Sequence, residues 1–340
     1  MHVTFYNNSK IKPSSTLSKI GKAELFLDYL EQFIANSATK RVHGFGTVGL
    51  AYNTIRTYKS LLRIVKAYEF EKSEKLYVNS IDKYTTESFT RFLKIEQQYS
   101  DNYCGQLLKL LKIILRDAEK SGLEIHPYSS YIESFKQKSS DRILHILNPL
   151  EIKALKGLKQ IPEVYTDSYS WLLIGLCIGQ RVSDLLKLSP NNLRKAPTGL
   201  YIDIIQQKTK KPVTVGVVDP LVIKILLHEF PEKTSQVVFN KQIKVLCKMA
   251  GIDEVVSGFK NNPRTRRKEI VKAPKYEFVT SHIRRSLATN YIGKIETPIL
   301  MEITGHSRES TFLSYIGENP NKDAVADVFM ERLRRLGSEE

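Results

Sequence analysis

Thr304-Gly305-His306-Ser307-Arg308-Glu309-Ser310-Thr311-Phe312-Leu313-Ser314-Tyr315 sets a tyrosine nine positions after a histidine. The chain has 17 tyrosines, and a buried tyrosine is ordinarily a core residue with its hydroxyl satisfied. Tyr315 gains another meaning only if the residues upstream of it form a set that can act on the same group.

Such residues occur in order. Gln180-Arg181-Val182-Ser183-Asp184-Leu185 follows the apolar run Trp171 to Ile178. A guanidinium beside buried apolar sequence needs a carboxylate or a phosphate to satisfy it, and its planar fork suits phosphate oxygens. A structural Arg181–Asp184 pair is the plain alternative. Lys208 lies in Lys208-Thr209-Lys210-Lys211-Pro212, a polar turn between the alternating runs 200–206 and 213–217. Its bland reading is a solvated turn lysine; its chemical reading is an ammonium held by a hairpin, able to protonate a leaving oxygen. Ser281-His282-Ile283-Arg284-Arg285-Ser286 contains His-x-x-Arg. With Ser281 as the helix cap, His282 and Arg285 share one face close to an N-terminus that attracts anions.

The length of 340 residues favours two domains. Lysine and arginine number 52 against 36 acidic residues, a net charge of +16, which points to a polyanionic partner, nucleic acid first. A membrane surface is the rival, but no apolar run is long enough to span a bilayer and no signal-peptide pattern follows Met1, so a cytoplasmic, nucleoid-associated protein is expected. Cys104, Cys177 and Cys247 are scattered, against both a disulfide framework and a zinc site.

Residues 1–20 read as a flexible arm. From Ala23 the apolar residues Leu25, Phe26, Tyr29, Leu30 and Phe33 recur on one helical face, and a second helix over 52–68 is half apolar and half basic, with Arg56, Lys59 and Arg63. Helices at 86–97 and 102–121 complete a bundle. A linker is expected over 126–145, and Pro149 opens a new helix. Then come a hairpin over 200–217, helices near 220–229 and 240–250, and a second hairpin within 255–279 whose tip carries Arg264, Arg266 and Arg267. Helices at 281–293, 297–303, 308–315 and 321–336 end the chain. Gly44-Phe45-Gly46-Thr47-Val48-Gly49 spells a dinucleotide fingerprint, but a helix and Lys40-Arg41-Val42-His43 precede it instead of a buried strand, so it reads as a loop between helices.

The ordered set Arg181, Lys208, His282, Arg285, His306 and Tyr315 resembles the tyrosine recombinases, the phage-type integrase family, over about 145–320. The front bundle resembles the core-binding, SAM-like domain of the same family. The resemblance implies a mainly α chain with small β-hairpins (α+β): a core-binding domain over 21–125 and a catalytic domain over 146–320, closing as a C-shaped clamp on DNA. It implies Tyr315 as nucleophile, with His282 accepting its proton because a free phenol titrates near ~10. Lys208 is then the acid for the leaving oxygen, and Arg181, Arg285 and His306 stabilise the charge on phosphorus oxygens, with no metal and no cofactor. One feature departs from the family. The segment after His282 is one residue shorter than a common form, so that similarity pairs the family arginine with Arg284, whereas the i, i+3 spacing favours Arg285.

The same resemblance implies double-stranded DNA as partner, contacted by Arg56, Lys59, Arg63, Lys210, Arg264, Arg266, Arg267 and Arg284. It implies a homo-tetramer on DNA, accessory DNA-bending proteins as further partners, and a tail over 321–340 that docks on a neighbouring protomer or covers its own domain. Integration or excision of a phage or mobile element is the expected biology. A type IB-like topoisomerase or replicon resolvase, and a non-catalytic DNA-binding regulator, are the alternatives.

Overall fold

Asp82, Asn148, Asp219 and Ser235 each precede a helix, and each side chain accepts a hydrogen bond from a backbone N–H of the first turn. At Asn148 the cap is reciprocal, since Glu151 accepts from the Asn148 N–H while Asn148 accepts from that of Glu151. Proline at the first helical position follows two of these caps, Pro149 and Pro220. The computed structural model describes residues 24–42, 47–136, 143–262, 268–316 and 322–336. The expected arm at 1–20 and the arginines of the 264–267 tip lie outside them.

The chain divides into two units, Met1–Gln137 and Lys138–Glu340. In the first, α1 (Phe26–Ala35), α2 (Tyr52–Lys72), α3 (Lys83–Arg91) and α4 (Asp101–Lys120) surround one core. The face expected for α1 is the buried one: Phe26, Tyr29, Leu30 and Phe33 are all inside. A ribbon of two-residue strands, β1 (Arg41–Val42) and β2 (Thr47–Val48), pairs antiparallel between α1 and α2. Thr47 and Val48 of the glycine run thus lie in a short strand pair, and residues 43–46 are outside the described residues. Part of the stretch expected as linker is docked. Pro127–Tyr131 forms a 3₁₀ turn, Ile132 is buried, and Lys112 Nζ donates to the carbonyls of Ser130 and Ile132 at 2.6 and 2.8 Å.

In the second unit α6 (Glu163–Ile178) is apolar around its circumference from Trp171 onward and is the central helix of the core. It packs with α8 (Pro220–His228), α9 (Gln236–Met249) and α10 (Arg284–Tyr291), while α5 (Pro149–Lys156) adds Leu155 to the same core. A three-stranded antiparallel sheet, in the order β3 (Leu193–Ala196), β4 (Gly199–Ile205), β5 (Pro212–Val217), includes the expected hairpin and one strand that the sequence pattern did not reveal. Alternation buries Leu200, Ile202, Ile204 and Val213, Val215, Val217 on one face. The second expected hairpin forms as β6 (Val255–Asn261) and β7 (Lys268–Pro274).

Three further helices follow: α11 (Thr297–Thr304), α12 (Glu309–Ile316) and α13 (Lys322–Leu336), with α7 (Val182–Leu185) a single turn after α6. A small separate cluster of Leu287, Ala288, Leu300, Phe312 and Ile316 seats α12. On α13, Phe329 and Leu333 are exposed. Among the described residues, no helix is long and apolar enough to cross a membrane.

Candidate active site

Two left-handed glycines aim two of the site residues. Gly179 (φ +62°) ends α6, and the chain reverses to present Gln180 and Arg181; Gly305 (φ +67°) ends α11 and presents His306. A helix that stops on such a glycine fixes the direction of the next side chain through rigid backbone.

Arg181 is partly buried and donates from Nη1 to Gln206 Oε1 at 2.7 Å. Its ion pair with Asp184 is looser, 4.0 Å. Asp184 is itself buried, with Oδ1 accepting from the Gln207 N–H and Oδ2 without a hydrogen-bond donor among the described residues. The plain Arg181–Asp184 reading therefore describes the weaker of the two contacts. Burial, and next the Arg284 charge, hold the Arg181 pKa below its usual value.

Arg284 is more deeply placed, at 4 % exposure. Its Nη1 donates to the Thr304 carbonyl and its Nη2 donates to His306 Nε2 at 2.9 Å. Its Nε has no acceptor among the described residues. Because an arginine only donates, His306 Nε2 must accept, which leaves the imidazole proton on Nδ1. His306 Nδ1–H then donates to Thr304 Oγ1 at 2.9 Å, and the threonine hydroxyl donates to the Leu300 carbonyl at 2.6 Å. Burial first, then the charges of Arg284, Arg181 and Lys208, lower the His306 pKa to about 4. His306 is neutral at pH 7.

Tyr315, on the last turn of α12, stands among these groups. Its ring centre is 5.1 Å from that of His306, 4.8 Å from the Arg284 guanidinium carbon and 4.7 Å from that of Arg285. Arg285 Nε donates to the Tyr315 carbonyl at 2.7 Å, at the C-terminal end of α12 where a cation is favoured.

Ser281 was expected to cap a helix that carried His282 and Arg285 in its first turn. The helix begins at Arg284 instead, because Ser281 is held elsewhere: its N–H donates to Asn240 Oδ1 at 2.8 Å and its hydroxyl accepts from Gln236 at 3.3 Å. His282 and Arg285 are joined through a turn, Arg285 N–H donating to the His282 carbonyl at 3.0 Å. This later start turns Arg284 inward and leaves Arg285 half-buried beside the tyrosine backbone. His282 keeps a solvent-exposed edge and its Nδ1 lies 3.0 Å from Thr280 Oγ1. Burial by the surrounding chain, then Arg285 and Arg284, lower its pKa.

Lys208 is exposed in the turn between β4 and β5, near enough for its charge to act on His306. Lys210 is exposed in the same turn, with a left-handed backbone (φ +56°). In the first unit Arg56, Lys59 and Arg63 form one exposed stripe on α2. Sequence reasoning missed Gln180, Gln206 and Thr304. The available signal was a glutamine at the end of each of two apolar runs, positions where a polar group enters a core only with partners.

Residues 25–137 match the phage integrase SAM-like domain. No curated protein matches the chain by sequence. Among solved structures, a lambda integrase dimer bound to a COC′ core site aligns with TM-score 0.61 at 13 % identity, covering 86 % of this chain and 96 % of that one. The XerH site-specific recombinase in a post-cleavage complex with palindromic difH gives 0.57 at 14 %, covering 90 % and 95 %. The Tn1549 transposon integrase with transposon right end DNA gives 0.56 at 18 %, covering 91 % and 99 %. A phage integrase SAM-like domain at the front and an α+β unit behind it give this chain the fold of the tyrosine recombinases.

Proposed function

We propose that the chain is a site-specific DNA strand transferase of the integrase type, acting on a phage or other mobile element through a 3′-phosphotyrosyl intermediate. The observation that carries this reading is the arrangement around Tyr315: two guanidinium groups within 5 Å of its ring and a neutral histidine beside it. A plain core tyrosine has no need of a buried guanidinium with an unused N–H beside it, whereas a nucleophile aimed at a phosphodiester does.

In the proposed step the Tyr315 oxygen bonds to phosphorus and the bond to the 5′-oxygen breaks. His282, whose lowered pKa keeps it unprotonated at neutral pH, accepts the phenolic proton, and Lys208 gives a proton to the departing 5′-oxygen. One phosphodiester replaces another, so no nucleotide hydrolysis is required. Arg181 and Arg284 hold the non-bridging oxygens, and the acceptor-free Nε of Arg284 is a buried donor suited to one of them. This assigns the second phosphate-binding arginine to Arg284 in place of Arg285. Arg285 instead clamps the nucleophile's helix through the Tyr315 carbonyl. Double-stranded DNA is the substrate, and a homo-tetramer, helped by DNA-bending proteins, is the working assembly.

The test is covalent capture on a pool of nicked suicide duplexes with randomised flanks, resolved by denaturing electrophoresis. Wild type forms an adduct and Tyr315→Phe forms none; an adduct with the phenylalanine variant removes Tyr315 as nucleophile. Arg284→Lys slows adduct formation by about 10²-fold or more, the scale for loss of one oxyanion donor. A smaller effect from Arg284→Lys than from Arg285→Lys reverses the assignment.

A further inference from the structure

Gln206 is fully buried at the end of β4, directly before the turn that carries Lys208. Both acceptor directions of its side-chain oxygen and one of its two amide N–H groups are taken by groups of the site's scaffold. Its Oε1 accepts from Arg181 Nη1 at 2.7 Å and from Thr209 Oγ1 at 2.9 Å. Its Nε2 donates to Gln180 Oε1 at 2.9 Å, and Gln180, equally buried, donates to the carbonyls of Ile303 at 2.7 Å and Ile178 at 3.2 Å. The polarity of this chain of hydrogen bonds is not arbitrary. An arginine can only donate, so Gln206 must face it with oxygen, turn its amide nitrogen to Gln180, and thereby make Gln180 donate to the backbone.

The same amide ties three separate segments together. The Gln206 N–H donates to the Lys211 carbonyl and its carbonyl accepts from Lys210, which closes the Lys208 turn. Gln180 reaches the end of α11, two residues before Gly305. A Cβ on Gly305 would come within 2.0 Å of Gln206 Oε1. Glycine at 305 therefore admits the amide as well as the left-handed turn that presents His306.

We infer that Gln206, oriented by Gln180, is a positioning residue that holds the Arg181 guanidinium in register with the Lys208 turn and the Gly305-His306 segment. The inference rests on the transesterification proposed above. A neutral amide suits this task better than a carboxylate. It fixes the direction of the guanidinium and leaves the full positive charge for the phosphate, whereas an acid at the same place would neutralise it and would leave Gln180 Oε1 without a donor.

The experiment compares wild type, Gln206→Leu and Gln206→Glu on a suicide duplex taken from the captured pool. The duplex is made with an ordinary scissile phosphodiester or with a neutral methylphosphonate, which makes far less demand on a guanidinium. Both variants are expected to bind DNA and to stay folded, melting somewhat lower than wild type because each leaves a buried partner of Gln206 without its hydrogen bond. They form adduct with the phosphodiester about tenfold or more slower, a fraction of the effect of deleting an oxyanion donor. On the methylphosphonate their loss shrinks to about threefold or less, because a misplaced charge matters little to a neutral group. Equal relative losses on the two substrates, no loss on the phosphodiester, or no cleavage of the neutral duplex by either variant overturns the inference. Wild type that captures no DNA at all overturns the proposed reaction and this inference with it, whereas active wild type with equal losses overturns the inference alone.

Discussion

At the scale of single residues the site turns on which groups are charged. His306 accepts from Arg284 and lies within reach of the charges of Arg181 and Lys208, so burial and three cations oppose its protonation. Its folded pKa of about 4 lies below the ordinary 6.5. Between those values the unfolded chain holds a proton that the folded chain does not, so stability rises with pH through the window and is lost as pH falls through it. His282, lowered from 6.5 as well, acts in the same direction. Thermal unfolding followed by calorimetry from pH 7 to pH 4.5 is expected to show a stability loss attributable to His306 of roughly 3 kcal/mol at most. His306→Gln, which can still accept from Arg284, should flatten that dependence; an unchanged slope would mean that the imidazole is not held neutral. The choice between Arg284 and Arg285 also belongs to this scale. Sequence spacing could not settle it, because the register of a helix is set by where it starts. The start depends on Asn240, about 40 residues away along the chain, holding the Ser281 N–H.

Elements explain what else was legible. The period-two burial of β4 and β5 and the apolar 171–178 half of α6 were written in residue type, as were the helix opened by Pro149 and the one near 220. The third strand was not, because Leu193–Ala196 has only its pairing with β4 to define it and buries no residue fully. The hydrogen-bonded glutamines were hidden for a related reason, since a buried amide is defined by partners distant in sequence. The helix that carries Tyr315, α12, has its own energetic character. Two residues of α12, Phe312 and Ile316, are buried in the small cluster, while α6 is buried along most of its length. Local opening of α12 is therefore expected at lower free energy than opening of the main core. In native-state hydrogen exchange the α12 amides should exchange faster than those of α6. Phe312→Ala, removing a fully buried ring whose loss is worth about 3–5 kcal/mol, should bring α12 close to unprotected while α6 stays slow. Parallel loss of protection in both helices would show that α12 is part of one cooperative unit with the core.

For the molecule as a whole the deciding quantity is the excess of +16 and, on the function proposed above, how much of it is free to meet phosphate. Not every basic residue is. On α2, Lys66 is paired with Glu31 at 2.6 Å, and on α4 Lys112 is held by two backbone carbonyls. Arg56, Lys59 and Arg63 form an exposed stripe along α2, with Arg63 also beside the Tyr103 hydroxyl. Each phosphate that a basic side chain neutralises releases counterions and adds nearly one unit to the slope of log K against log salt. Fluorescence anisotropy on a non-specific duplex, measured across a salt series, should therefore give a steep slope for wild type. Replacing Arg56, Lys59 and Arg63 together with glutamine should lower the slope by roughly two to three units, about one for each phosphate left without its cation. Lys66→Gln should change it much less, because its ammonium already has a carboxylate partner. A triple variant that keeps the wild-type slope would exclude the α2 stripe from the DNA-binding surface and move the electrostatic contact to other basic segments.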